Sequence, residues 1–125
     1  MFNLDMFVRG ESQSMPFSVE AEKGVLCSLL LSPKPVADLC ILRLRPEAFY
    51  VPEHVIVYSL ILELVAKRNP VDFLSLKQAL KGRNQLEEIG GPEYLSDLYS
   101  FVPTPANAAY YIDIVREKYD LRRLI

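Results

Sequence analysis

SVEAEKGVLCSLLLSPKP, residues 18–35, decides how the whole chain is read. Ser18 can cap a first helical turn with its hydroxyl, and Glu20 and Glu22 suit the positive end of a helix dipole. Ala21, Val25, Leu26, Leu29 and Leu30 then recur at helical spacing. Ser32-Pro33-Lys34-Pro35 ends the run, because proline lacks a donor and disfavours helix in the residue before it. Cap, apolar period and proline stop recur along the rest of the chain. No period-2 alternation of useful length and no internal repeat accompanies them.

Working outward, a second helix is expected over about Val36–Leu44, and Pro46 opens a short turn carrying Phe49 and Tyr50. Pro52 suits the first turn of a third helix reaching about Arg68. Val55, Ile56, Val57, Tyr58, Leu60, Ile61, Leu62, Leu64 and Val65 go nearly all round it, so this helix is expected to be central and buried on most sides. After Asn69-Pro70, Asp72 caps a fourth helix bearing Phe73, Leu76 and Leu80 on one side. Turns at Gly82–Asn84 and Gly90-Gly91 lead to a fifth helix at Pro92, with Tyr94, Leu95, Leu98 and Tyr99 inward. Pro103 and Pro105 precede a last helix from about Ala106. The predicted fold is all-α, a compact bundle of about six helices. Its expected parts are a flexible tail at 1–17, a globular helical head at 18–105, and the start of a further helical element at 106–125.

The last helix is the most informative for function. Tyr110, Ile114, Leu121 and Ile125 share one stripe, and Tyr111 and Val115 widen it. Asp113, Arg116, Asp120 and Arg123 form a charged sector, with Arg116 and Asp120 at i, i+4. Ile112 and Tyr119 extend the apolar arc beyond what a helix at the edge of a small domain needs. A wide arc points to a second partner, either another helix or another chain. The sequence ends at Ile125 without a stop signal, so the helix is expected to continue in a longer parent.

Composition narrows the function classes. With 125 residues, half of them hydrophobic, the chain can bury one core. The net charge of -2 argues against a primary nucleic-acid surface. Cys27 and Cys40 lie in apolar contexts without a CxxC pattern and are expected as reduced core thiols, which fits a cytoplasmic location. No signal peptide and no membrane-length apolar run is visible, so no membrane partner is expected. No phosphate-binding loop occurs. His54, the only histidine, is expected to bond locally at a helix start, and no metal set can be built around it. Glu20 and Glu22, at i, i+2, point to different sides and do not form an acid/base pair. No catalytic, cofactor or metal residue is expected.

The motifs, taken in order, resemble the N-terminal domain of the bacterial replicative DNA helicase, the DnaB family. The likeness runs from about Pro16 to Ile125. It includes Ser18-Val19-Glu20-Ala21-Glu22, Arg45-Pro46-Glu47-Ala48-Phe49-Tyr50, and the spaced Pro52, His54 and Tyr58. It continues with Leu86-Glu87-Glu88-Ile89-Gly90-Gly91, Tyr94-Leu95, Pro103-Thr104 and Tyr110-Tyr111. Ile114-Val115-Arg116-Glu117-Lys118 and Leu121-Arg122-Arg123-Leu124-Ile125 complete it. Two departures are local. Cys27 stands where the family usually has a small residue, and Asn84-Gln85 replaces a compact turn.

The resemblance implies a non-catalytic assembly and docking domain. In the family, helical hairpins pair two protomers, and three pairs form the collar of a hexameric ring that binds the helicase-binding domain of primase. The last helix would be the first hairpin arm, with Tyr110, Tyr111, Ile114, Val115, Lys118 and Leu121 as its oligomer interface. A helicase loader is a further implied partner. The parent would be an ATP-dependent helicase whose motor domain holds ATP and Mg2+ and touches DNA. The competing expectation, read from the residues, is a helical module that binds single-stranded DNA through Arg116, Lys118, Arg122 and Arg123 beside the tyrosines.

Overall fold

Ser18 starts the first helix in the computed structural model, which describes residues 15–125. Its backbone is extended, and its hydroxyl accepts from the Ala21 N–H at 3.0 Å. Helix α1 then runs Val19–Leu31. The Ser32 N–H closes it on the Ser28 carbonyl at 2.9 Å. Ser32 is at once the last cap of α1 and the first of α2, Pro33–Ile41. The expected start at Val36 was therefore three residues late. Pro33 is the first residue of α2, where the missing proline N–H would have had no helical partner anyway.

A 3-10 turn at Pro46–Ala48 leads to α3, Pro52–Ala66. Helix α4, Phe73–Gly82, opens on Asp72, whose carboxylate accepts from the Ser75 N–H at 2.8 Å. Backbone hydrogen bonds hold the Asp72 carboxyl below its usual range. Helix α5, Gly91–Tyr99, is entered through two residues of positive φ, its cap Gly90 at φ +110° and its first residue Gly91 at φ +79°. A Cβ on Gly90 would lie 3.0 Å from the Cβ of Tyr94, so both space and backbone favour glycine there. A second 3-10 turn, Pro105–Asn107, feeds α6, Ala108–Arg123. No strand occurs among the described residues. The expected all-α class is what is found. Residues 1–14 of the expected tail lie outside the described residues. Pro16 and Phe17 lie against the head, where the Phe17 ring stacks on Tyr50 at 4.2 Å.

The central helix is α1, not α3. From Ala21 to Leu30 every α1 residue except Lys23 is buried. The helix packs against α2, α3, α5 and α6. Full burial of Val25, Leu26, Leu29 and Leu30 contributes about 1.5–3 kcal/mol each. The apolar residues that suggested a fully wrapped α3 divide into two groups. Val57, Tyr58, Leu60, Ile61 and Leu64 face the core, whereas Val55, Ile56, Leu62 and Val65 are only partly covered. An all-round apolar pattern shows what a helix can bury. It does not show what neighbours it will have. Cys27 and Cys40 are both free and buried. Burial pushes the Cys40 thiol up to about 11, which keeps it protonated at neutral pH.

Candidate functional site

Helix α6 carries apolar residues on two separate faces. Thr104 sets its approach by accepting from the Ala106 N–H at 3.2 Å. Ala108, Ile112 and Val115 then recur at i, i+4, i+7 and are buried against the head. Tyr111 flanks this inner face and lies over Gly24 of α1. A Cβ at Gly24 would come within 2.7 Å of the Tyr111 ring, so the missing side chain is what lets the two helices meet. Arg122 locks the far end. Its guanidinium donates to the carbonyls of Pro16 at 2.9 Å and Ala48 at 2.6 Å, and lies close to the rings of Tyr50 and Tyr119.

The second face points outward. Tyr110 is 65% exposed, Leu121 40%, Leu124 82% and Ile125 79%, with Ile114 and Lys118 half-buried between them. Tyr110, Ile114, Lys118 and Leu121 follow each other at helical spacing along one line of α6, Leu124 and Ile125 lie just past its end, and of these Ile114 also packs partly against the core. The structure thus divides the residues expected at the oligomer interface. Tyr110, Ile114, Lys118 and Leu121 share the outward stripe. Tyr111 belongs partly to the contact with α1, and Val115, 2% exposed, is a core residue of the head. Leu124 extends the stripe and was not among the expected interface residues. Its i+3 spacing from Leu121 was the available signal.

The expected DNA-facing cations do not form one row either. Arg122 is spent on backbone carbonyls, Arg116 pairs with Asp120 at 3.2 Å and bonds the Arg43 carbonyl at 2.9 Å, and Lys118 lies on the apolar stripe.

His54 is structural, as expected, but its bonds are not local. It is fully buried, with Nδ1 2.7 Å from Oε1 of Glu22, a residue 32 positions earlier. The Glu22 carboxylate also accepts from the backbone N–H groups of Tyr50 at 2.7 Å and Val51 at 3.2 Å. Glu22 therefore anchors the segment that leads into α3, beyond its expected service to the dipole of α1. With Nδ1 donating, Nε2 is left to accept the hydroxyl proton of Tyr94. Burial, with Glu53 and Glu22 nearby, pushes the Tyr94 phenol up to about 12, so that proton is retained. Every one of these polar groups is engaged inside the fold. The trio is a brace joining α1, α3 and α5, and it leaves no free base or nucleophile. No group of three or more metal-ligating side chains occurs among the described residues. No described helix is long and apolar enough to cross a membrane.

A family profile described as "DnaB-like helicase N terminal domain" matches residues 14–117. The chain belongs to this family. The chain is also similar to relatives named replicative DNA helicase DnaB. One from Leifsonia xyli is 42% identical over 117 residues, covering 94% of this chain and 25% of the relative. Another from Mycobacterium leprae is 46% identical over 110 residues, covering 88% of this chain and 18% of the relative. The chain thus spans about a quarter or less of these helicases. The crystal structure of the N-terminal domain of DnaB helicase from Mycobacterium tuberculosis superposes with a TM-score of 0.84 at 45% identity. That match covers 89% of this chain and 76% of that one. The order of helices is therefore that of a DnaB-like N-terminal domain.

Proposed function

We propose that this domain assembles and docks a hexameric replicative DNA helicase, pairing with a second copy through the outward face of α6. The observation that carries the reading is the largely exposed stripe from Tyr110 to Leu121, continued past the helix end by Leu124 and Ile125, on a helix whose other face is already packed. Family membership supplies the context. Pairs of such domains build a collar on the helicase ring, and the collar receives the helicase-binding domain of primase. A loader is a further partner. ATP, Mg2+ and DNA are handled by the motor domain of the parent, in the bacterial cytoplasm.

Sedimentation velocity tests the pairing surface. Leu121→Asp and Ile114→Asp place a carboxylate on the outward stripe. Both should lower concentration-dependent association while the circular dichroism of the head is unchanged. Association equal to that of the unaltered chain would remove the stripe from the interface. A titration with single-stranded DNA examines the competing reading. Tight binding that weakens steeply with salt would favour a direct DNA-binding module.

A further inference from the structure

Two cavities adjoin on the flank of the domain away from the outward stripe of α6. The first is an apolar groove of about 790 Å3 between α2 and the end of α3, with Pro33, Pro35, Leu62 and Val65 in its walls. It lies over the part of α3 that the core leaves half-covered. The second, of about 550 Å3, lies between the segment after α2 and the last turns of α6. Ile41 lines both and is 60% exposed, and its neighbour Leu42 is 87% exposed.

The charges on this surface are one-sided. The charged residues lining the groove are Lys34 and Arg68, and those lining the second cavity are Arg43, Arg45, Arg116 and Arg123. All six are cations, in a chain whose net charge is -2. Carboxylates stand behind some of them and not in the walls. Asp38 holds Lys34, Asp113 holds Arg43, and Asp120 holds Arg116. The other three are loosely held. Arg45 reaches Glu47 only at 3.7 Å, Arg123 reaches Asp120 only at 3.8 Å, and Arg68 makes no ion pair among the described residues. Arg116 is fixed from behind by the Arg43 carbonyl, so part of the guanidinium set is pre-positioned.

We infer that this surface docks an acidic amphipathic protein segment, whose apolar side chains enter the α2–α3 groove while its carboxylates meet the arginines beside α6. Guanidinium groups recognise carboxylates through paired N–H donors, and an apolar groove beside them fits the other face of such a segment. A nucleic-acid strand is the poorer match. Its bases would need an open aromatic face, but the Tyr119 ring at this cavity already has the guanidinium groups of Arg122 and Arg123 beside it. Half of the surface is also apolar groove, which a phosphate backbone cannot use. The site is separate from the pairing stripe, so each can fail without the other.

The probe is a fluorescein-labelled amphipathic peptide of about 15 residues, with leucines on one face and glutamates on the other. Its anisotropy is titrated with the whole chain. The peptide should bind, and binding should weaken between about 50 mM and about 300 mM NaCl. Replacing its glutamates by glutamine should weaken it by about tenfold or more. Arg45→Glu combined with Arg123→Glu should do the same, both side chains being well exposed and the fold checked by circular dichroism. Ile41→Asp should weaken binding from the groove side, whereas Leu121→Asp should leave it unchanged. No binding of the peptide, equal binding of the glutamine peptide, or full binding by the double variant would each overturn the proposal. So would a single-stranded oligonucleotide that binds as tightly and loses its affinity to the same double variant.

Discussion

Helices α1 and α6 are both rich in apolar residues, yet the fold uses them in opposite ways. In α1 the run Ala21–Leu30 is buried apart from Lys23, with neighbours on every side. In α6 only Ala108, Ile112 and Val115 are fully buried, and a second apolar row faces out. The lesson concerns position more than composition. A helix at the centre of six can bury every side it has. A helix at the rim can bury one, so apolar residues on its other side need another explanation.

Substitutions along the two helices should separate these roles, and the largest effect is expected at Glu22. Glu22→Ala leaves two backbone N–H groups and His54 without their acceptor in a buried site, and should cost about 3–5 kcal/mol in denaturant unfolding. Leu26→Ala, at 0% exposure in the middle of α1, should cost about 2–5 kcal/mol by the same measurement. If either is tolerated within about 0.5 kcal/mol, α1 is not the centre of the fold.

The contact between the two helices comes next. Gly24→Ala presses a methyl group into the Tyr111 ring and should cost about 1–3 kcal/mol. Adding Tyr111→Ala should recover part of that loss, and a double-mutant cycle would show the coupling. Strictly additive effects would mean that α1 and α6 do not meet there. The smallest effect on stability is expected on the outer face. Leu121→Ser should shift unfolding by no more than about 0.5 kcal/mol, while still lowering association. A large loss of stability would show that the outer row serves its own head.

Much of this contrast was legible in the residues. Ser18, Asp72 and the prolines placed the helices, because caps and missing donors act within a few residues. Periodicity alone puts the centre at α3, because that helix carries an apolar residue on nearly every side, and a periodic pattern does not tell how many sides find a neighbour. Glu22 was read by its local dipole, since its partners Tyr50, Val51 and His54 lie about thirty positions away and no short-range pattern connects them. The inner row of α6 was underread for a related reason. Two apolar rows on one helix merge into a single wide arc until one of them is packed. Val115 then belongs to the head, and Tyr110, Ile114, Lys118, Leu121 and Leu124 remain on the outside.

The guanidinium of Arg122 bonds the carbonyl of Pro16 across 106 positions of sequence. Among the side-chain hydrogen bonds of the described residues this one spans the greatest sequence separation, and closing so long a loop carries a high entropic cost. The final turn of α6 is thereby tied to the segment just before α1. A neighbour that grips this turn would in effect inspect the finished domain, and half-folded copies would present it poorly. Arg122→Ala, which releases the turn from both carbonyls, would loosen that inspection before it disturbed the core.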